Sequence, residues 1–172
     1  MLKSLAQNPL SNQKPLNWRG LSADFILIAL LSGPIAAPFL AKSGIFPLNI
    51  IANIIYFMGG VVCPQPDMSL MVVSPHLMAV CMRCYGLLLA LLTTRLLYRR
   101  NQGNAWYWLS QYRFQGAAIA SVLICAYLAE MLAQVFQIWE YNNWIVTAFG
   151  YVTGLGIGLF LAPVIYRQTR AN

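Results

Sequence analysis

Five apolar runs, parted by polar or glycine-containing breaks, set the pattern of this chain. Residues 23–41, 46–62, 77–97, 116–139 and 143–165 are mostly apolar. Apolar stretches of about 18 residues or more cross a bilayer as helices, because a helix satisfies its own backbone where there is no water. The second run is short for a span. It opens near Pro47, closes on Gly59-Gly60, and puts Asn49 and Asn53 on one helical face. The first run contains Pro34 and Pro38, which kink a helix and free carbonyls that a neighbour must satisfy. The pattern predicts an all-α, polytopic helical membrane protein. Four transmembrane helices plus a lateral or re-entrant helix at 46–62 are expected, with five spans as the alternative. Residues 1–22 read as a flexible basic tail without the apolar core or cleavage site of a signal peptide. Residues 23–166 read as a single transmembrane helical domain and 167–172 as a C-terminal tail.

Charge turns this pattern into an orientation. Only 9% of residues are charged against 59% apolar, yet the net charge is +7. In a soluble protein that excess would point to nucleic acid. Here the basic residues sit in tails and loops between apolar runs, where they orient the chain and meet anionic lipid heads, so no nucleic acid is expected. Arg95, Arg99, Arg100 and Arg113 flank one loop, and Arg167 and Arg170 follow the last run. Two spans separate these groups, so they share a side, which the positive-inside rule makes cytoplasmic. The loop after Cys63 then faces the periplasm or lumen of a bacterial inner or thylakoid-type membrane. With four spans, nine Lys and Arg lie inside and only Lys42 lies outside, with Arg83 in the membrane. With five spans the basic N-terminal tail moves outside, which favours four. On the last run, Gly150, Gly154 and Gly158 recur every four residues. That spacing permits close helix packing, either within the chain or at a dimer face.

The candidate chemistry is concentrated between residues 63 and 86. Three of the four cysteines, Cys63, Cys81 and Cys84, and the single histidine, His76, fall there. Cys81 and Cys84 form a C-x-x-C pair whose sulfurs share a helical face. The spacing suits a redox disulfide or two ligands of a tetrahedral metal. Cys63 is a candidate third thiolate and His76 a candidate fourth ligand, for zinc or iron. A disulfide, and cysteines that are merely structural, remain alternatives. Gln65 and Ser69, in the proline-bounded loop, are candidates for supporting hydrogen bonds. Arg83 lies between the two cysteines, where a charge needs a partner. Glu130 is expected to supply it, at a depth within roughly 5 Å of Arg83 along the span axis. Cys125 is expected to be a small apolar packing residue. The chain has no Walker loop, no G-x-S-x-G elbow, no H-E-x-x-H helix and no paired carboxylates, so hydrolase and nucleotide-driven chemistry have no footing.

The residues Cys63, Gln65, Ser69, Cys81, Arg83, Cys84 and Gly86 resemble the signature of a prokaryotic membrane-protein family known as domain of unknown function 2085. That signature reads Cys-His-Gln, then Arg-Ser, then Cys-Ala-Arg-Cys-x-Gly. Pro64 stands where the family has histidine and Met68 where it has arginine. The resemblance implies that the three cysteines and Arg83 act as a unit, and it names no reaction. The resulting expectation is an accessory or assembly factor for a larger membrane complex, not an enzyme, with a cysteine clip at the outer face. A quinone-linked thiol oxidoreductase and a small-solute transporter are the alternatives.

Overall fold

A computed structural model describes residues 18–63, 69–101, 105–138 and 140–166. Among these residues it is all-α and 81% helical. The elements in order are α1 (Trp18–Lys42), α2 (Phe46–Val62), a two-stranded ribbon of β1 (Met71–Val73) and β2 (His76–Leu77), α3 (Met82–Asn101), a 3-10 turn (Leu109–Tyr112), α4 (Arg113–Val135) and α5 (Asn143–Tyr166). Three stretches, Gly20–Lys42, Leu109–Val135 and Asn143–Tyr166, are helices long and apolar enough to cross a membrane. The shorter apolar helix is α2. Four arginines, Arg83, Arg95, Arg99 and Arg100, fall in α3, so composition alone does not mark it as a span.

Several boundaries differ from the sequence expectation. The helix expected from residue 23 starts at Trp18, inside the supposed tail. The third run does not enter its helix at 77. An antiparallel ribbon pairs Met71 with Leu77 and Val73 with His76, and α3 starts only at Met82. The apolar residues before Cys81 are therefore buried loop, which hydropathy alone does not distinguish from helix. At its other end α4 stops at Val135 rather than 139. Gln137 takes a left-handed φ of 53°. The N–H of Ile138 then donates to Ala133 O at 2.9 Å and that of Gln137 to Gln134 O at 3.0 Å, a Schellman cap that satisfies the last carbonyls.

α1 continues through both prolines. Pro38 has no N–H for the carbonyl of Pro34, one turn earlier. That freed oxygen accepts the N–H of Ala79 at 3.4 Å, tying α1 to the segment that leads into Cys81. α2 folds back on α1, with Ile55 Cγ2 3.8 Å from where a Cβ on Gly33 would stand.

α5 forms the centre of the bundle because its glycines remove the side chains that would hold its neighbours off. A Cβ on Gly150 would come within 2.0 Å of Arg83 O, one on Gly154 within 2.5 Å of Leu87 O, and one on Gly158 within 2.3 Å of Thr94 Oγ1. All three positions face α3, so the glycine stripe serves packing within the chain and not a dimer face. Gly156 faces α4, where its Cβ would meet Leu123 Cβ at 2.8 Å. At the end of α3 away from the cysteines, Arg95 grips both carboxylate oxygens of Asp24 at 2.5 Å. Its guanidinium stacks 3.9 Å above the Tyr166 ring, and the Tyr166 hydroxyl donates to Asp24 Oδ1 at 2.8 Å. This triad links α1, α3 and α5.

Candidate functional site

The cysteine site forms where α2 ends and α3 begins. Cys63 follows α2, and its N–H donates to Gly59 O at 2.8 Å. A Cβ on Gly59 would stand 2.1 Å from Ala79 O, so glycine there is what lets α2 lie against the approach to Cys81. Cys81 precedes α3, and its carbonyl accepts the first helical hydrogen bond, from Tyr85 N–H at 3.1 Å. It is therefore the N-cap of α3, with Cys84 in the first turn. This corrects the expectation that both cysteines lie within a helix, although their sulfurs still meet.

Cys81 Sγ lies 3.6 Å from Cys84 Sγ, and Cys84 Sγ lies 3.8 Å from Cys63 Sγ. All three sulfurs fall within 4.8 Å of one another. Cys63 and Cys81 are buried and Cys84 is partly so. The N–H of Cys81 points at Cys63 Sγ, 3.2 Å away. An N–H donor to sulfur and the positive end of α3 act in favour of thiolates, against the neighbouring Cys63 sulfur and burial, which push the Cys81 thiol up. Three thiolates this close repel one another, so the set is stable only with protons, as a disulfide, or around a cation.

His76 does not join them. It sits in β2 of the ribbon, paired with Val73, outside the group of mutually close ligand atoms. Ser69 is half-buried ahead of β1. Gln65 lies outside the described residues. Cys125 is exposed on α4, apart from the other three cysteines.

Beside the cysteines, Arg83 is fully buried and pairs with the equally buried Glu130, Nε to Oε2 at 2.6 Å. The expected partner is the observed one, and both residues lie near helix ends: Arg83 is the second residue of α3, and Glu130 is five before the end of α4. Two further partners escaped the sequence reading. Arg83 donates to Gln134 Oε1 at 2.7 Å, and its guanidinium stands 5.3 Å from the Tyr127 ring centroid. The available signal was spacing: Tyr127, Glu130 and Gln134 follow one another by three and four residues, one face of α4.

The family model for a predicted membrane protein (DUF2085) matches residues 63–160, more than half of the chain. The chain belongs to this DUF2085 family. The match begins at Cys63 and takes in the cysteines, Arg83, Glu130 and the glycine stripe; α1 and α2 precede it. No curated protein and no solved structure matches the chain. Membership makes this a membrane protein associated with the lipid bilayer.

Proposed function

We propose that Cys63, Cys81 and Cys84 hold a zinc ion as three thiolates, and that the metal clips the end of α2 to the start of α3. The carrying observation is the sulfur spacing. Zn–S bonds of about 2.3 Å in a tetrahedron place sulfurs about 3.8 Å apart. The separations of 3.6 and 3.8 Å fit that edge, whereas a disulfide requires about 2.05 Å. Soft thiolates select zinc or an iron–sulfur centre over hard cations.

The clip belongs to a four-span protein in which α2 re-enters the membrane from the outer face. At 17 residues α2 is about 25 Å long, shorter than a bilayer core of about 30 Å. The positive-inside count puts the cysteine loop outside and the C-terminus in the cytoplasm. The helices from α1 to α5, residues 18–166, form one domain. On this reading the protein is an accessory or assembly factor of a larger membrane complex, and the metal fixes the outer-face surface its partner meets. The quinone-linked thiol oxidoreductase is the weaker reading, since electron relay needs two exchanging cysteine pairs and Cys125 stands exposed on α4, outside the sulfur group.

The test is anaerobic purification followed by elemental analysis and intact mass with alkylation. Stoichiometric zinc is expected, with three thiols blocked until a chelator is added. A metal-free chain whose mass rises by two hydrogens on reduction would replace the clip with a disulfide.

A further inference from the structure

At the opposite end of the bundle from the cysteines, α1, α3 and α5 leave a cleft of about 300 Å³. Leu27, Leu30, Leu91, Ile157, Leu161 and Ile165 wall it, and Arg95 and Tyr166 close its polar end. On its floor the Thr94 hydroxyl already donates to Leu91 O at 2.8 Å, so the lining offers ordered water little to bind. A cavity of this kind takes an apolar occupant. Leu30 and Leu161 are 43% and 40% exposed, so the cleft opens sideways onto the surface a bilayer covers.

The charge at the rim says which occupant. Leu91, Arg95 and Arg99 follow at four-residue spacing on α3, so Arg99 continues the cleft's wall past its polar end. Arg99 and Arg100 are both exposed, and Arg99 lies within electrostatic reach of Asp24. Asp24 is already engaged by Arg95. The rim therefore keeps a net positive charge directly beyond an apolar slot. Leu91 and Arg99 are separated by about 12 Å along the axis, so slot and charge are stacked as the tail and headgroup of a lipid are.

We propose that this cleft binds an anionic phospholipid, with one acyl chain between α1, α3 and α5 and the phosphate on Arg99 and Arg100. A cleft of about 300 Å³ has room for part of one acyl chain. Residues 1–17 contain Lys3 and Lys14 and no acidic residue, so like charge opposes that segment as the occupant.

The test is native mass spectrometry of the full chain with dioleoylphosphatidylglycerol and, separately, dioleoylphosphatidylcholine. The chain should retain the anionic lipid in preference. The double variant Arg99→Gln/Arg100→Gln changes two exposed side chains and should weaken that retention about thirty-fold, at about 1 kcal/mol per arginine near a lipid surface, and weaken retention of the neutral lipid, whose choline already offsets its phosphate charge, much less, so that the preference is lost. Ala23→Trp, which fills the cleft from α1, should lower retention of both. Equal retention of the two lipids by the unaltered chain would overturn the proposal, as would a preference that survives in the double variant. So would a photocrosslinker at Leu161 that labels residues 1–17 or a second copy in place of lipid.

Discussion

Two arginines with acidic partners sit near opposite ends of α3, and their surroundings differ more than their geometry. Arg83 and Glu130 are both 0% exposed. Arg95 keeps 24% exposure and Asp24 30%. Each guanidinium meets a carboxylate and an aromatic ring, and Arg95 has the more regular bidentate grip. Quality of contact therefore does not rank them. Removing one partner of a buried pair strands the other charge where nothing solvates it, whereas a partly wetted charge regains water. The pair beside the cysteines constrains the fold, and the triad at the other end tethers α1.

The comparison is broken most directly at Arg83. Arg83→Leu or Glu130→Leu alone should cost about 3–5 kcal/mol, seen as lost abundance in membranes and early thermal unfolding in detergent. The double replacement should recover most of that loss. A double variant as defective as the sum of the singles would mean the two charges do not depend on each other.

The cysteines next to this pair come second. Cys63→Ser, Cys81→Ser and Cys84→Ser should each lose a similar amount, on the order of 3 kcal/mol, the chain-entropy value for closing a segment of about twenty residues. A chelator should destabilise the unaltered chain equally and leave the three variants unchanged. Cys125→Ser should stay within about 0.5 kcal/mol. If Cys63→Ser behaves like Cys125→Ser in thermal unfolding, Cys63 lies outside the site.

Between the two ends, Gly154→Leu should cost about 1–3 kcal/mol or more through overpacking against the α3 backbone. Gly60→Ala is its control, since a Cβ there meets nothing within 4 Å. The smallest effect belongs to the far end. Arg95→Gln should cost about 1 kcal/mol, and raising salt should shrink that difference while leaving the Arg83→Leu defect unchanged. A salt-insensitive Arg95 would erase the contrast between the two pairs.

Periodicity and spacing account for much of the fold. A run of apolar residues long enough for a bilayer has few alternatives to a helix, so four of the apolar runs reappear nearly where expected, and α2 does so residue for residue. Arg83 and Glu130 were legible as a pair because a charge in an apolar run has few partners to choose from. Gln134 and Tyr127 were not, because an amide and a phenol carry no such demand. Asp24 was not legible as the partner of Arg95, because both lie near the ends of their runs, where water is an alternative partner.

From the sequence alone came the membrane class, the helices, the family and the trio of cysteines, all properties of composition and local order. Tertiary structure decided that Cys81 caps α3 instead of lying within it, that the ribbon removes His76 from the sulfurs, and that the glycines of α5 face α3 and not a second copy. Each depends on which backbone atoms approach one another across the chain. Ala79 meeting both the freed Pro34 carbonyl and Gly59 is such an approach. One-dimensional spacing does not encode it, because hydropathy reports how deeply a segment is buried and not against what.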